Sequence, residues 1–477
     1  MSKWINYTKT EKAERTIARC CCSKNKKNMD DILNKKALEY HSMWKAGKTE
    51  VSPTKPYGTA QELSMAYTPG VAAPAAEINE ERWKAYRYTN KGNLIAVISN
   101  GSSVLGLGNI GALASKPVME GKAMLFKIYA DIDAFDIELS DEEPDKFIAT
   151  VQALAPTFGG INLEDIKAPE CFYIEEKLRR LLDIPVLHDD QHGTAVTIAA
   201  AFINACEVTG KEIGNTSIVI CGAGAAAIST ARMLLHIGVN KEQITMVDSK
   251  GVLNRSRNNI DGIKSEFVSD NKATTLKQAI KGSDAFIGLS RGNLIDEEDI
   301  RSMAAKPIIF ALANPVPEID YNKAKATRPD AVVATGRSDI PNQINNVLAF
   351  PYLFRGALDT LATNINEEME IAAVHAIAGL AHEPVPECMQ ERYEQELSFG
   401  SDYLLPKPGD RRLLTEVSSA VAKAAMKSGI ARRNILSFKD YADTLLARID
   451  NGNFFARESI RHRSHTRMHP HTRKKEF

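Results

Sequence analysis

The sequence predicts an α/β protein in which a doubly wound parallel sheet is inserted beside a mixed α/β domain. Between residues 191 and 345, short apolar runs alternate with helical stretches, which is typical of parallel strands joined by crossover helices. The pattern before this region is mixed, and after Asn346 it becomes helical again. The 477 residues also exceed what one hydrophobic core organises. We therefore expect two bodies with a cleft between them.

Composition excludes several classes of protein. Apolar residues make up 44% and charged residues 25% of the chain, as in soluble globular proteins. No apolar run reaches the roughly 18 residues of a membrane span, and the Ala-rich run Ala195–Cys206 predicts a buried helix. Seven cysteines without a CxxC pair do not indicate a disulfide framework or a zinc ribbon. The N-terminus lacks the apolar core of a signal peptide, so the cytoplasm is the expected compartment.

Positive charge is concentrated at the two ends of the chain. Lys plus Arg equals Asp plus Glu at 60 each, yet residues 1–28 carry eight basic and two acidic side chains, and residues 456–477 carry seven and two. We expect these ends to be basic, disordered extensions of an acidic globular body. Such tails can bind polyanions or metal, but we expect no nucleic-acid partner and no membrane partner.

Apolar runs predict the main elements and the division into domains. A helix is expected at Met29–Ala46. Strands are expected at Leu94–Ile98, Ala123–Ile128, Ser217–Ile220, Ile244–Val247, Ala285–Leu289, Pro307–Ala311 and Ala331–Ala334. The resulting division is an extension at 1–28, a mixed domain at 29–190, a Rossmann-type domain at 191–345, a helical part at 346–455 that packs back on the mixed domain, and a tail at 456–477.

The glycine pattern G-x-G-x-x-G/A occurs twice, and only one copy has the context of a dinucleotide-binding loop. The copies are Gly106, Gly108 and Gly111, and then Gly222, Gly224 and Ala227. The second follows a strand, opens an amphipathic helix at Ala225–Ile237, and is followed by a strand that ends at Asp248. Small residues there let the backbone approach a pyrophosphate, whose charge faces the helix N-terminus. The second copy therefore predicts a nucleotide domain.

The first glycine copy lacks this context in the sequence. Asp131 lies twenty residues beyond Gly111, but Pro117 and Gly121 interrupt the segment between them. We expect that segment to be too broken for a crossover helix. The first copy is therefore interpreted as a turn beside the substrate.

The residues after Asp248 bear on the choice between NAD and NADP. Asp248 would accept hydrogen bonds from a ribose 2′-hydroxyl and repel a 2′-phosphate, which favours NAD. Donors that suit a phosphate follow closely, namely Ser249, Lys250, Arg255, Arg257 and Lys264. We expect NADP, with NAD as the alternative.

Two acidic pairs suggest a metal site. Glu164–Asp165 alone would suit a helix N-terminus, and Asp189–Asp190 alone would suit the cap of a helix that starts near Gly193. Taken together, the pairs favour a hard cation, Mg²⁺ or Mn²⁺, because all the ligands are oxygen atoms.

Several ordered blocks resemble the malic enzyme family, in particular its shorter bacterial-type members, from about residue 30 to residue 450. The blocks are Tyr67–Val71, Val104–Gly111, Glu120–Lys122, Leu163–Ile166, His188–Thr194 and Asn342–Pro351. The resemblance implies a malate oxidoreductase that decarboxylates oxaloacetate and uses NADP or NAD with Mg²⁺ or Mn²⁺. It also favours a homodimer, with malate as the substrate bound by the 29–190 domain.

The resemblance also implies roles for individual residues. Tyr67 would be the general acid and Lys122 the general base, with Asp189 beside the lysine. The metal ligands would be Glu164, Asp165 and Asp190. Asn314, Asn345 and Asn346 would meet the substrate or the nicotinamide. The cofactor would contact Gly222, Gly224, Ala225, Ala226, Ala227, Asp248, Ser249, Lys250, Ser290 and Asn314.

Lys122 must be neutral to act as a base. Because a free lysine has a pKa of about 10.4, activity near pH 8 requires roughly 3 kcal/mol of destabilisation of its charged form. We expect partial burial beside a divalent cation to supply this, with Asp189 acting in the opposite direction. In isolation, Lys122 would be interpreted as a surface lysine in a turn, and Tyr67 as a core aromatic residue before a Pro-Gly turn.

The chain departs from the family pattern in two places. Larger eukaryotic members carry an arginine for the substrate carboxylate near the first glycine loop, where this chain has Ser102 and Ser103. The group that binds this carboxylate is therefore open. The second departure is that the sequence lacks the phosphotransacetylase-like C-terminal domain of some bacterial relatives. We therefore expect no regulation through such a domain.

Three other functions are considered. A malolactic enzyme would share the fold, metal and cofactor but release lactate, and no residue excludes it. An amino-acid dehydrogenase would not need the oxygen-ligand cluster. A non-catalytic nucleotide-binding regulator predicts a degenerate site, whereas every matched position here holds a chemically competent residue.

Overall fold

A computed structural model describes residues 22–450, apart from 44, 105, 141, 142, 259, 261, 394 and 395. The chain divides into two compact units, residues 1–52 and 53–477. In the first unit, helix α1 spans Cys22–Ser42. It starts before the predicted Met29, since no Gly or Pro interrupts residues 22–28. Residues 1–21 of the predicted extension lie outside the described residues. The predicted tail at 456–477 lies outside the described residues.

The first sheet of the second unit is parallel throughout. Its strands are β1 (Leu94–Ser99), β2 (Asp133–Glu138), β3 (Gly160–Leu163) and β4 (Val186–His188), in the order β2-β1-β3-β4. The helices of this region are α2 (Ala60–Ala66), α3 (Ala72–Glu80), α4 (Ala85–Tyr88), α5 (Ala112–Ala130), α6 (Pro144–Leu154), α7 (Glu170–Leu181) and α8 (Asp189–Thr209). The strand order reverses direction between β1 and β3, and such a switch point opens a crevice at the carboxyl ends of the strands.

The second sheet confirms the predicted doubly wound architecture. Its strands are β5 (Ile218–Cys221), β6 (Ile244–Asp248), β7 (Gly251–Val252), β8 (Ala285–Gly288), β9 (Ile308–Ala311) and β10 (Val332–Thr335). The order is β10-β9-β8-β5-β6-β7, and only the short edge strand β7 is antiparallel. Helices α9 (Ala225–His236), α10 (Leu276–Ile280), α11 (Glu297–Arg301) and α12 (Tyr321–Thr327) connect the strands. The switch point lies between β5 and β8.

After the second sheet the chain is helical, as predicted. The helices are α13 (Phe350–Asp359), α14 (Glu367–Leu380), α15 (Glu387–Tyr393) and α16 (Arg412–Lys427). Helix α13 packs against α5, where the ring of Phe126 lies 4.7 Å from that of Phe350 and 5.4 Å from that of Phe354. The C-terminal helices therefore contact the element that follows the first glycine loop. The domain boundaries themselves stay predictions.

One predicted strand is wrong. The segment Ala123–Ile128 lies inside helix α5, which also contains Pro117 and Gly121. The buried positions of this helix, among them Met119, Ala123 and Phe126, recur every three to four residues. Burial of this face stabilises the helix despite the proline, so β1, the first glycine loop, α5 and β2 form a complete crossover unit. The expectation that Pro117 and Gly121 break this crossover helix is therefore wrong, while the position of the glycine loop beside the substrate stays a prediction.

The central helix α8 contains Ala195–Cys206, which is buried as predicted. It packs against α9 and α14 and belongs to the largest apolar cluster of the chain. Among the described residues, no helix is long and apolar enough to cross a membrane.

Candidate functional site

The two acidic pairs meet at the carboxyl edge of the first sheet. Glu164 and Asp165 directly follow β3, and Asp189 and Asp190 follow the neighbouring strand β4. Carboxylate oxygens of Glu164, Asp165 and Asp190 lie within 4.8 Å of one another. The first pair lies in a loop, since α7 begins only at Glu170. The second forms the first turn of α8, rather than capping a helix near Gly193.

Local contacts fix the backbone and side chains of this cluster. The backbone N–H of Asp165 donates to Asp190 Oδ2 at 2.8 Å, and Asn162 Nδ2 donates to Glu164 Oε2 at 2.8 Å. Asp165 has φ +53°, a left-handed conformation that is uncommon outside glycine. Its carbonyl accepts from the backbone N–H of Ser103 at 2.9 Å, which ties the β3 loop to the first glycine loop.

This donor set fits a divalent cation. Oxygen ligands are what Mg²⁺ and Mn²⁺ prefer, and Asp165 Oδ2 is buried without a hydrogen-bond partner. Burial raises the pKa of Glu164, Asp165 and Asp190, and the negative charge of neighbouring carboxylates raises it further. A cation bound here would remove that repulsion.

Lys122 is buried beside the cluster, with 8% of its surface exposed. Its Nζ lies 2.6 Å from Asp189 Oδ2 and 2.9 Å from Glu164 Oε1, and 4.2 Å from the centre of the Phe350 ring. Burial lowers the pKa of Lys122, but the charges of Asp189 and Glu164 together raise it well above its ordinary value. The expected fall in the pKa of Lys122 depends on a bound divalent cation and therefore stays a prediction.

Asp189 links Lys122 to Asn346, which follows the last strand of the second sheet. It is fully buried, and its Oδ2 accepts from Lys122 and, at 2.6 Å, from Asn346 Nδ2. A Cβ on Gly193 would lie 1.8 Å from Asp189 Oδ1, so only glycine fits at that position. Asn345 instead caps a 3₁₀ turn, because its Oδ1 accepts from the backbone N–H of Val347 at 2.9 Å.

Tyr67 is not packed into this cluster within the single chain. It ends helix α2 and has 76% of its surface exposed. Among the described residues, no hydrogen bond or ion pair joins Tyr67 to Lys122 or to the acidic cluster. Its assignment as general acid therefore rests on the sequence resemblance.

The first glycine loop lies against the loop that follows β9 in the second sheet. Gly106 has φ +74°, and a Cβ there would lie 3.1 Å from Pro315 Cδ and 3.5 Å from the carbonyl oxygen of Asn314. Ser102, which precedes this loop, is buried and donates to Asn100 Oδ1 at 2.6 Å. The loop region therefore contacts Asn314 through Gly106 and Asp165 through Ser103, and Ser102 offers no positive charge to a carboxylate.

The second glycine loop packs closely against the loop that follows β8. Gly222 has φ +135°, and a Cβ there would lie 2.5 Å from the carbonyl oxygen of Leu289. A Cβ on Gly224 would meet nothing within 4 Å, so this position opens towards solvent. Ala225, Ala226 and Ala227 form the first turn of α9. The loop fits a pyrophosphate at a helix N-terminus.

A cleft of about 1280 Å³ lies over this loop. Its lining includes the predicted residues Gly222, Gly224, Asp248, Ser249, Lys250 and Ser290. Ala168, Pro169 and Phe172 from the segment after Asp165 form another wall. The cleft therefore runs from the nucleotide loop to the segment that carries two of the acidic residues. Ala225, Ala226, Ala227 and Asn314 are not among the residues that line it, so their contact with the cofactor stays a prediction.

Asp248 is bound by neighbouring cationic groups. Arg257 donates to its two carboxylate oxygens at 2.8 and 3.1 Å, and Lys264 Nζ lies 3.5 Å away. Although burial raises the pKa of Asp248, the hydrogen bonds from Arg257 and the Lys250 backbone lower it more. Arg255, also predicted to face a phosphate, pairs with Asp270 instead.

Some residues that shape the site carry no recognisable signal in the sequence. Glu318 is fully buried and accepts from the backbone N–H of Ser290 at 3.2 Å and of Ala313 at 3.0 Å. It thereby holds together the loops after β8 and β9. Glu175 likewise belongs to none of the motifs, so only its three-dimensional contacts reveal it.

The fold and site define a class of protein, namely an α/β protein with a Rossmann-type nucleotide-binding sheet beside an oxygen-ligand cation site. Two family models match the chain, "Malic enzyme, N-terminal domain" over residues 46–179 and "Malic enzyme, NAD binding domain" over residues 191–391. The chain belongs to the malic enzyme family.

Known relatives agree with this membership. The chain is 54% identical over 430 residues to the NADP-dependent malic enzyme of Escherichia coli, covering 90% of this chain but 57% of that protein. It is 53% identical to the NADP-dependent malic enzyme of Halomonas elongata, covering 85% of this chain and 96% of the relative. A Bacillus subtilis relative, 49% identical over 84% of this chain and 95% of that protein, is named bifunctional malic/malolactic enzyme.

A solved structure has the same fold. The malic enzyme of Pyrococcus horikoshii superposes with a TM-score of 0.83 at 42% sequence identity, covering 91% of this chain and 100% of that one. Both sheets and their connections therefore follow a known arrangement.

We expect Mn²⁺ to stabilise the protein through the acidic cluster. With Mn²⁺ at 100 times its Kd, the melting temperature should rise by about 2 °C or more, because the cation binds only the folded chain. Asp165→Asn should abolish this rise. In EDTA the same variant should melt above the wild type, because it removes a buried, unpaired negative charge. Differential scanning calorimetry with and without Mn²⁺ measures both effects, and an equal Mn²⁺ response in both proteins would contradict the site.

Proposed function

We propose that this protein catalyses the oxidative decarboxylation of (S)-malate to pyruvate and CO₂, with reduction of NADP. One observation supports this proposal most directly, namely the cluster of Lys122, Glu164, Asp165 and Asp190. This cluster lies at the edge of the first sheet, next to the nucleotide cleft. The names of the relatives support this activity. Because the chain spans only 57% of the length of the Escherichia coli relative, activity, substrate and partners are proposals for this chain.

Glu164, Asp165 and Asp190 would hold the divalent cation. When bound, Mg²⁺ or Mn²⁺ supplies Lewis acidity for both halves of the reaction, acidifying the alcohol of malate and stabilising the enolate as CO₂ departs. The chain's contribution is the fixed placement of three oxygen ligands, which the Asp165 N–H and Asn162 maintain.

Lys122, paired with Asp189, would accept the proton of the substrate alcohol. The reaction balances when one proton leaves the hydroxyl and one is added to carbon, while a hydride reduces NADP. Lys122 Nζ, 2.6 Å from Asp189 Oδ2, is placed to hold the first proton. Neutralisation of Glu164 by a bound cation would weaken one of the charges that keep Lys122 protonated. By resemblance, Tyr67 would deliver the proton to carbon, and Asn346 would hold Asp189 in place.

The charges beside Asp248 support NADP over NAD. Arg257 already occupies both oxygens of Asp248, so this carboxylate has lost much of its capacity to accept a ribose hydroxyl. Lys250, Arg257 and Lys264 line the cleft there and outnumber the single acid. A 2′-phosphate would meet net positive charge. In this proposal residues 191–345 form the nucleotide domain and residues 29–190 the substrate domain.

A second candidate function is malolactic activity. The name of the Bacillus subtilis relative, bifunctional malic/malolactic enzyme, is the specific observation in its favour. An amino-acid dehydrogenase would leave the acidic cluster without a purpose. A non-catalytic regulator would not need a buried lysine paired with two carboxylates, since such burial is costly.

We also propose that the chain works as a homodimer in the cytoplasm. Helices α2 and α3 bury no residue, and Leu63, Met65 and Val71 are exposed beside Tyr67. Apolar patches of this kind on a folded chain mark interaction surfaces.

Light scattering after size exclusion should give twice the chain mass, and Leu63→Asp with Met65→Asp should shift the mass towards the monomer. A wild-type monomer at micromolar concentration would contradict this proposal.

Product analysis tests the main proposal. Purified protein with (S)-malate, Mn²⁺ and NADP should form pyruvate and NADPH in equal amounts, with kcat/KM for NADP at least about tenfold above that for NAD, or roughly 1.4 kcal/mol in favour of the 2′-phosphate. EDTA should remove the activity. Lactate without reduced cofactor would support the malolactic function instead, and a tenfold preference for NAD would overturn the argument from Asp248.

Replacement of Lys122 tests its role as the base. Lys122→Met should lower kcat by at least about a hundredfold, the usual contribution of a general base, while the KM for NADP stays close to the wild type. Lys127→Met is the matched control on the same helix, because Lys127 is half exposed and pairs with Asp131 and Asp133. Steady-state kinetics at saturating Mn²⁺ measure both variants, and normal turnover by Lys122→Met would remove Lys122 from the mechanism.

A further inference from the structure

The first turn of α8, which carries Asp189 and Asp190, lacks a cap of its own. His188 is the N-cap residue, and its side chain makes no capping hydrogen bond. The donors of this turn converge instead on one carboxylate of another helix. The His188 backbone N–H donates to Glu175 Oε1 at 2.8 Å, and Gln191 Nε2 donates to Glu175 Oε2 at 3.0 Å.

His192 adds a third contact to the same carboxylate. Its Nε2 lies 3.0 Å from Glu175 Oε1, and its Nδ1 lies 2.9 Å from Glu370 Oε1. Glu175 belongs to α7 and Glu370 to α14. The imidazole therefore links the start of α8 to both neighbouring helices. We call Glu175, His192 and Glu370 the acidic clamp.

The residues that donate to Glu175 lie on both sides of Asp189 and Asp190 in the sequence. All three donors belong to residues 188, 191 and 192, one before the Asp189–Asp190 pair and two after it. Glu175 is only 5% exposed, and a buried carboxylate is stable only when it is fully paired. Movement of the turn would break these bonds, so the clamp restricts where the turn can lie.

Packing alone does not account for this arrangement. The rest of α8 is held by apolar contacts with α9 and α14, and buried ionic groups can often be replaced by apolar residues without loss of stability. What charged, directional contacts add is orientation. Bound metals depend on such outer partners, because these partners fix the direction of the ligand oxygens.

We propose that the acidic clamp positions Asp190 as a metal ligand and Asp189 as the partner of Lys122. This inference deepens the proposed function and rests on its cation site. Glu175 acts through the turn and does not touch the substrate, so it is a positioning residue. Loosening the turn should misplace one of three ligands and lower the affinity for the cation, while the nucleotide cleft keeps its shape.

Mn²⁺ binding measured by electron paramagnetic resonance tests this without malate. Glu175→Gln keeps the size of the side chain but removes its charge and one acceptor oxygen, and it should raise the Kd for Mn²⁺ at least about tenfold. The affinity for NADPH, followed by fluorescence, should stay within about twofold of the wild type, since Glu175 does not line the nucleotide cleft. Glu176→Gln is the matched control on the same helix, where Glu176 is exposed and pairs with Arg180.

Activity provides a second, separate readout. In Glu175→Gln, kcat at low Mn²⁺ should fall and should recover partly at high Mn²⁺, with the KM for NADP unchanged. An unchanged Kd for Mn²⁺ would overturn the proposal. Equal losses of Mn²⁺ and NADPH binding together with a lower melting temperature would also overturn it, because they indicate a purely structural role.

If Glu175→Gln does not fold, His192→Gln decides, because it keeps a donor to Glu175 and breaks the link to Glu370. A wild-type Kd in that variant would overturn the proposal. If the wild-type protein binds Mn²⁺ but does not oxidise malate, the proposed function fails while the clamp is still tested.

Discussion

The ion pairs of Lys122 with Asp189 and Glu164 bring three separate segments to one point. Lys122 comes from α5, Glu164 from the loop after β3, and Asp189 from the first turn of α8. Each charge would cost several kcal/mol to bury without a partner, so none of the three segments can move away without leaving an unpaired charge. Lys122 balances only one of the four carboxylates, and a divalent cation held by Glu164, Asp165 and Asp190 would compensate most of the remaining negative charge.

Both sheets place their functional loops by the same topological rule. The order reverses between β1 and β3 in the first sheet and between β5 and β8 in the second. At each reversal the loops leave in opposite directions and open a crevice at the carboxyl ends of the strands. The acidic cluster lies at the first crevice and Gly222 at the second. Phe172 lines the nucleotide cleft from the segment after Asp165, and Gly106 abuts Asn314, so the two crevices share their walls.

A second layer of buried acids holds the loops that carry the functional groups. Glu175 gathers the donors around Asp189 and Asp190, and Glu318 gathers backbone N–H groups from the loops after β8 and β9. Both carboxylates are buried, and each accepts hydrogen bonds from two different segments or residues of the neighbouring loops and turns. Catalytic geometry tolerates displacements of well under an ångström. Directional hydrogen bonds from rigid helices and loops supply that precision better than apolar packing does.

The sequence by itself determined the doubly wound sheet, the Gly222 loop and the identity of the acidic residues, because these depend on local periodicity and on motifs a few residues long. It misassigned Ala123–Ile128 as a strand, since a proline and a glycine outweighed a helical pattern that burial against Phe350 stabilises. It also could not give the ion pairs of Lys122 or the pairing of Asp248 with Arg257. Only the tertiary structure decided these, because such pairs depend on how the folded chain brings charges together, and Lys122 and Asp189 are 67 residues apart.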